Sequence, residues 1–147
     1  MKRLFISLLA TTIAVLAFAS CEKETESVID FNALPSVAQT TIITHFDKEQ
    51  IMLIIYDNEL FDKEYSVTFF DGTVIQFEKS GNWESVESNI TGVPTTILPE
   101  KIAEYLALYY ADQKVLEIEK DIDGYEVRLA NTIELEFNLS GNLVGVD

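Results

Sequence analysis

The strongest constraint on this chain is that it repeats itself. "LPSVAQTTIITHF" at 34–46 matches "LPEKIAEYLALYY" at 98–110, a constant 64 residues later. "YSVTFFDGTVIQFEKSGNW" at 65–83 matches "YEVRLANTIELEFNLSGNL" at 125–143, 60 residues later. Order is kept and apolar positions coincide, so the chain reads as two copies of one supersecondary unit. The four-residue difference lies between Tyr56 and Tyr65, where the first copy has the longer loop.

Each copy opens on Leu-Pro. Pro35 and Pro99 suit the first turn of a helix, where no N–H is needed. Glu100 adds a carboxylate at the positive end of the second helix. Ile102, Tyr105, Leu106 and Tyr109 share one helical face. The matching face of the first copy is weaker, with Ala38, Thr41, Ile42 and His45, supplemented by Ile43 and Phe46. The remainder of each copy alternates. Tyr125, Val127 and Leu129 oppose Glu126 and Arg128, and Ile133, Leu135 and Phe137 oppose Glu134 and Glu136. Period two means half-buried antiparallel strands. Asp-Gly at 71–72 and 123–124 and Ser-Gly-Asn at 80–82 and 140–142 are turn signals. Phe77 and Phe137 end a strand on the core face, Gly81 and Gly141 supply positive φ, and Trp83 and Leu143 open the last strand of each copy. The expectation is α+β: two tandem repeats of one helix and four antiparallel strands, over residues 32–90 and 91–147.

The N-terminus reads as a processing signal. "MKRLFISLLATTIAVLAFASC" has a basic tip, an apolar run broken by Ser7, Thr11 and Thr12, and small residues before a cysteine. The run is shorter than a membrane-spanning helix needs. Residues 1–20 are therefore expected to be a signal peptide. Cys21 is the only cysteine, so it forms no internal disulfide. Its setting after Phe18-Ala19-Ser20 resembles a bacterial lipobox, with Phe18 in place of the usual Leu, and it is the expected lipidation site. Acyl chains, palmitate among them, would anchor the protein stably. The charged stretch 21–31 reads as a tether. The expected location is the Gram-negative envelope, as an outer-membrane lipoprotein, with periplasmic-facing and cell-surface placements both open.

Leu-Pro, an amphipathic helix, "KVLEIEKD", "GYEVRL", "IELEF" and "SGN" in tandem resemble the PepSY-like family of secreted proteins, also described as beta-lactamase-inhibitor-like. The resemblance covers about residues 31–146, and the second copy is the closer match. It implies that the two sheets join into one curved sheet with helices on one face. It also implies a binding surface on that sheet, and it carries no catalytic motif. Inhibition of an envelope or secreted enzyme is implied by analogy of fold, which does not fix function.

Chemistry in the chain is sparse. His45 is the only histidine and matches Tyr109, a core-edge position, so a structural role is expected. No nucleophile set, zinc cluster or phosphate-cradling loop can be assembled. No catalytic residue, cofactor or metal is therefore expected, and the protein is read as a non-enzyme. "NIT" at 89 and "NLS" at 138 match a glycosylation pattern by chance. The net charge is −15, and Lys2 and Arg3 are the only charges before Ser20, so it becomes −17 beyond them. This excludes nucleic acid as a partner and disfavours anionic lipid headgroups.

The two outer sheet faces differ. In the second copy Glu117, Glu119, Glu126, Glu134 and Glu136, with Arg128, are expected on a solvated charged face rather than a calcium site. In the first copy the alternation puts Met52, Ile54, Tyr65, Val67, Phe69, Ile75 and Phe77 toward the helix. It puts Ile51, Leu53, Ile55, Thr68, Phe70, Val74 and Gln76 outward. That outer face is mostly apolar, and Leu60, Phe61 and Trp83 are expected to border it. Ile51, Leu53, Ile55, Leu60, Phe61, Phe70, Val74 and Trp83 are thus the candidate partner-binding residues. Two readings stay open. In one, a protein-binding module docks an unknown protein, an enzyme among the candidates. In the other, the face is covered, by the 86–97 connector, by the tether, or in a homodimer of a structural lipoprotein.

Overall fold

The computed structural model describes residues 26–58 and 63–147. The signal-like segment, Cys21, Leu60 and Phe61 lie outside the described residues. The strands are β1 (Glu26–Val28), β2 (Ile51–Asn58), β3 (Lys63–Phe69), β4 (Val74–Phe77), β5 (Trp83–Glu87), β6 (Val115–Lys120), β7 (Gly124–Leu129), β8 (Glu134–Asn138) and β9 (Leu143–Val146). The helices are α1 (Ser36–His45) and α2 (Glu100–Tyr109), with 3₁₀ turns at Phe31–Ala33, Lys48–Gln50 and Thr95–Ile97. All nine strands form one antiparallel sheet in chain order. The fold is α+β, and the sheets are joined into one as expected, with nine strands in place of eight. The additional strand comes from residues read as tether. Glu26, Ser27 and Val28 pair with Asp57, Tyr56 and Ile55.

One row of side chains crosses the sheet. Ile54, Val67, Ile75, Val86, Ile118, Val127 and Leu135 stand opposite one another on successive strands, and all are buried. Six of the seven are β-branched, which suits a pleated surface. Burying each contributes about 1.5–3 kcal/mol before chain entropy is charged against it. Ala38 and Ile42 of α1 and Ile102 and Leu106 of α2 pack in the same cluster. Tyr105 meets Phe137 edge-on at 5.5 Å, and Phe46 stacks on Phe69 at 5.3 Å. Tyr109 and Ile43, expected to help the helix faces, are 64% and 61% exposed.

The Ser-Gly-Asn turns seat the helices. Gly81 has φ +89°, and a Cβ there would lie 2.7 Å from Cβ of Pro35. Gly141 has φ +78°, and its Cβ would lie 2.8 Å from Cβ of Lys101. Each turn therefore lets the first turn of a helix press onto backbone. The Asp-Gly pair at 123–124 works differently from the expected turn. Gly124 opens β7, and a Cβ there would collide with the Phe137 carbonyl oxygen at 1.9 Å.

Register shifts fall at Ile51/Leu53 and Val115/Glu117, and at Gln76/Phe77 and Glu136/Phe137. The first shift corrects the expected facing. Ile51 pairs with Phe69 and packs against the core, while Met52 takes the bulge and is 52% exposed. Strict alternation fails wherever a bulge inserts one residue.

Two glycine substitutions test the local backbone. Gly81→Ala should lower unfolding free energy by about 2–3 kcal/mol, from left-handed strain plus overlap with Pro35. Gly72→Ala, with φ +83° but nothing within 4 Å, should cost only about 1 kcal/mol. Urea denaturation measures both. Thr132 holds φ 71° with a β-branched side chain, so Thr132→Gly should stabilise by about 0.5–1 kcal/mol.

Candidate outer-face docking site

The outer face is read from the ladder. One row runs Val28, Ile55, Ser66, Gln76, Ser85, Glu119, Glu126, Glu136 and Gly145 across all nine strands. The next runs Leu53, Thr68, Val74, Glu87, Glu117, Arg128 and Glu134. A third, at the other side of the first, holds Glu26, Asp57 and Glu64. Val28, Leu53, Ile55, Ser66, Thr68, Val74, Gln76 and Ser85 thus make an uncharged window on β1 to β5. Beyond it and beside it stand nine carboxylates: Glu26, Asp57, Glu64, Glu87, Glu117, Glu119, Glu126, Glu134 and Glu136. The single cation in these rows is Arg128.

Of the candidate residues, Leu53, Ile55 and Val74 come together in the window, half-buried by their neighbours. Phe70 follows β3 in the turn and is 66% exposed. Ile51 is turned to the helix side. Trp83 is also on that side, paired with Phe77 and packed on the core, with its ring 6.3 Å from Tyr125. It does not border the window, because it starts β5 next to a bulge that resets the alternation. Leu60 and Phe61 lie outside the described residues. Val28 joins the window at 73% exposure. Sequence reasoning missed it, because a three-residue strand in a charged stretch leaves no periodicity to read.

The connector after β5 does not cover the window. Val93, Ile97 and Leu98 belong to the core cluster on the helix side. Four polar groups direct it there. Thr91 Oγ1 lies 2.9 Å from Oδ2 of Asp71, Ser88 Oγ 2.8 Å from Thr91, and Thr73 Oγ1 2.8 Å from Ser88. A carboxylate only accepts, so Thr91 donates to it, Ser88 donates to Thr91, and Thr73 donates to Ser88. The Thr73 backbone N–H closes the set on Asp71 Oδ1 at 2.9 Å. Burial pushes the Asp71 carboxyl up, but the hydrogen bonds from Thr73 and Thr91 outweigh it and hold it below its usual range. The resulting stabilisation is present above the unfolded-state value and is lost as pH falls through the folded one. His45 Nδ1, 2.9 Å from Thr96 Oγ1, ties α1 to the same connector.

The acidic half has its own balance. Glu87 stands directly across from Glu117 where β5 meets β6. Arg128 on β7 donates from Nε and Nη2 to Glu117 Oε2 at 3.0 and 2.7 Å, and reaches Glu87 at 3.8 Å. It therefore offsets a like-charge pair that would otherwise weaken the junction. The neighbouring row has no such cation, and Glu126 faces Glu119 on one side and Glu136 on the other. Loss of hydration on the crowded sheet raises the Glu126 carboxyl above its usual range. The carboxylates of Glu134, Glu119, Glu136 and Glu117 raise it further. Among the described residues, no group of three or more His, Cys, Asp or Glu is arranged to hold a metal ion. The ladder spreads these carboxylates along rows instead of converging them.

A family model described as "Putative beta-lactamase-inhibitor-like, PepSY-like" matches residues 63–145. The chain belongs to this PepSY-like family. Solved structures agree over more than four-fifths of the chain. A Bacteroides thetaiotaomicron protein, described as a "putative calcium-regulated periplasmic protein", is 38% identical with a TM-score of 0.78. The match covers 83% of this chain and 96% of that one. A Bacteroides vulgatus protein, described as a "putative periplasmic protein", is 36% identical with a TM-score of 0.77, over 85% of this chain and 98% of that one. A second from that organism, described as of unknown function, is 30% identical with a TM-score of 0.74, over 83% and 98%. No curated protein matches the chain. For the PepSY-like chain, the raised Glu126 carboxyl means stability is greatest with that group protonated and is lost as pH rises through its folded value. Glu126→Gln should therefore raise Tm at pH 7, because it relieves a cross-strand repulsion of about a few tenths of a kcal/mol. The gain should vanish below the carboxylate range, as thermal melts across pH will read.

Proposed function

We propose that this PepSY-like protein is a non-enzymatic docking module of the Gram-negative envelope that binds a protein through the outer face of β2 to β4. One observation carries the reading. An uncharged window containing Leu53, Ile55 and Val74 interrupts an otherwise acidic sheet, and the connector packs elsewhere. The family description supports a partner that is itself an enzyme, so the module would act as an inhibitor. The descriptions of the Bacteroides relatives as periplasmic support the compartment. Cys21 would carry the acyl anchor of an outer-membrane lipoprotein. It lies five residues before β1, so the start of that strand would stay within about 17 Å of the membrane by chain length alone. The paired bulges, 64 and 60 residues apart, and the paired helix-seating glycines support a duplicated unit, with the copies meeting near residue 90.

The test is the double substitution Leu53→Asp with Phe70→Asp. Neither side chain belongs to the buried cluster. The variant should keep its circular dichroism and melt cooperatively, yet lose the proteins that wild type retains after crosslinking in the envelope. A stable variant that retains the same proteins would end the reading.

A further inference from the structure

Resting on that docking reading, we infer the chemistry of the partner: an apolar strip bordered on two adjacent sides by lysine or arginine side chains, on a protein. The geometry sets the spacing. Leu53, Thr68 and Val74 occupy adjacent strands in one row, and Glu87 follows on the next strand. Leu53 to Glu87 is three strand spacings, about 14 Å. Along β2, Asp57 lies two residues past Ile55 and four past Leu53, about 7 and 14 Å. Glu26 and Glu64 flank Asp57 in the ladder. Carboxylates therefore border the window on two sides, across the strands and along them.

Charge decides between occupants. A second copy stacked face to face would bring nine carboxylates against nine, with one Arg128 on each side already held by Glu117. Nucleic acid and anionic lipid have the wrong sign. A basic segment with an apolar centre satisfies both parts of the face. The carboxylate rows steer and orient it, and burial of Leu53, Ile55 and Val74 holds it. The partner's cations must border its apolar strip, because no carboxylate stands inside the window.

The test uses the full chain in nanodiscs of zwitterionic lipid and three labelled nine-residue peptides, read by fluorescence anisotropy. One has a Val-Leu-Val-Leu-Val centre with two lysines at each end, one has the same centre with glutamates, and one is all lysine. The lysine-flanked peptide should bind at least about ten-fold tighter than either control and weaken as salt rises. Leu53→Ser with Val74→Ser should weaken it by at least about five-fold. Equal binding of the lysine- and glutamate-flanked peptides, still lost in that variant, would overturn the charge inference and leave the docking reading standing. Binding that ignores the variant, or equal binding of the all-lysine peptide, would overturn both. A dimer in sedimentation that the same variant dissolves would assign the face to a second copy and overturn the inference.

Discussion

Everything on the outer face depends on one short pairing, the three positions where β5 meets β6. Ser85, Val86 and Glu87 face Glu119, Ile118 and Glu117. Val86 and Ile118 are both fully buried, so the core row runs unbroken from β2 to β8. That register brings the first half's neutral rows into line with the second half's acidic rows. A slip of one residue would turn Glu117 and Glu119 into the core. The hydrophobic row therefore fixes where charge stops and the window begins.

The junction also carries a repulsion, and the chain manages it locally. Glu87 and Glu117 face each other, and Arg128 reaches both from the next strand. A half-exposed ion pair of this kind adds little stability by itself. Its effect is to remove a penalty at the one seam that joins the halves. In the adjacent row, Glu119, Glu126 and Glu136 have no cation among them, and the face keeps a strong negative field. A surface that tolerates that cost is suited to meeting a positive one.

Most of this was legible in the sequence, and the failures have physical causes. The repeated Leu-Pro and Ser-Gly-Asn marked both helix starts and both hairpins. The glycines are required because the turn packs under a helix, which no local rule announces. Alternation placed Leu53, Ile55 and Val74 outward. It misplaced Ile51, because the bulge at Met52 shifts the register and only the cross-strand partners reveal it. Trp83, expected at the border of the window, packs beside Tyr125 on the helix side. Val28 and the Asp71, Thr73, Ser88 and Thr91 set stayed invisible. The first depends on edge pairing, and the second joins groups up to twenty residues apart through hydroxyls.

The central claim is that the uncharged window, and not the helix side, meets a protein. A photo-crosslinking amino acid placed at Leu53, and in a parallel variant at the exposed Ile43 of α1, tests it most directly in intact envelopes. The account predicts a discrete protein adduct from position 53 and none of that mass from position 43. The same adduct from both positions, or from 43 alone, would contradict it.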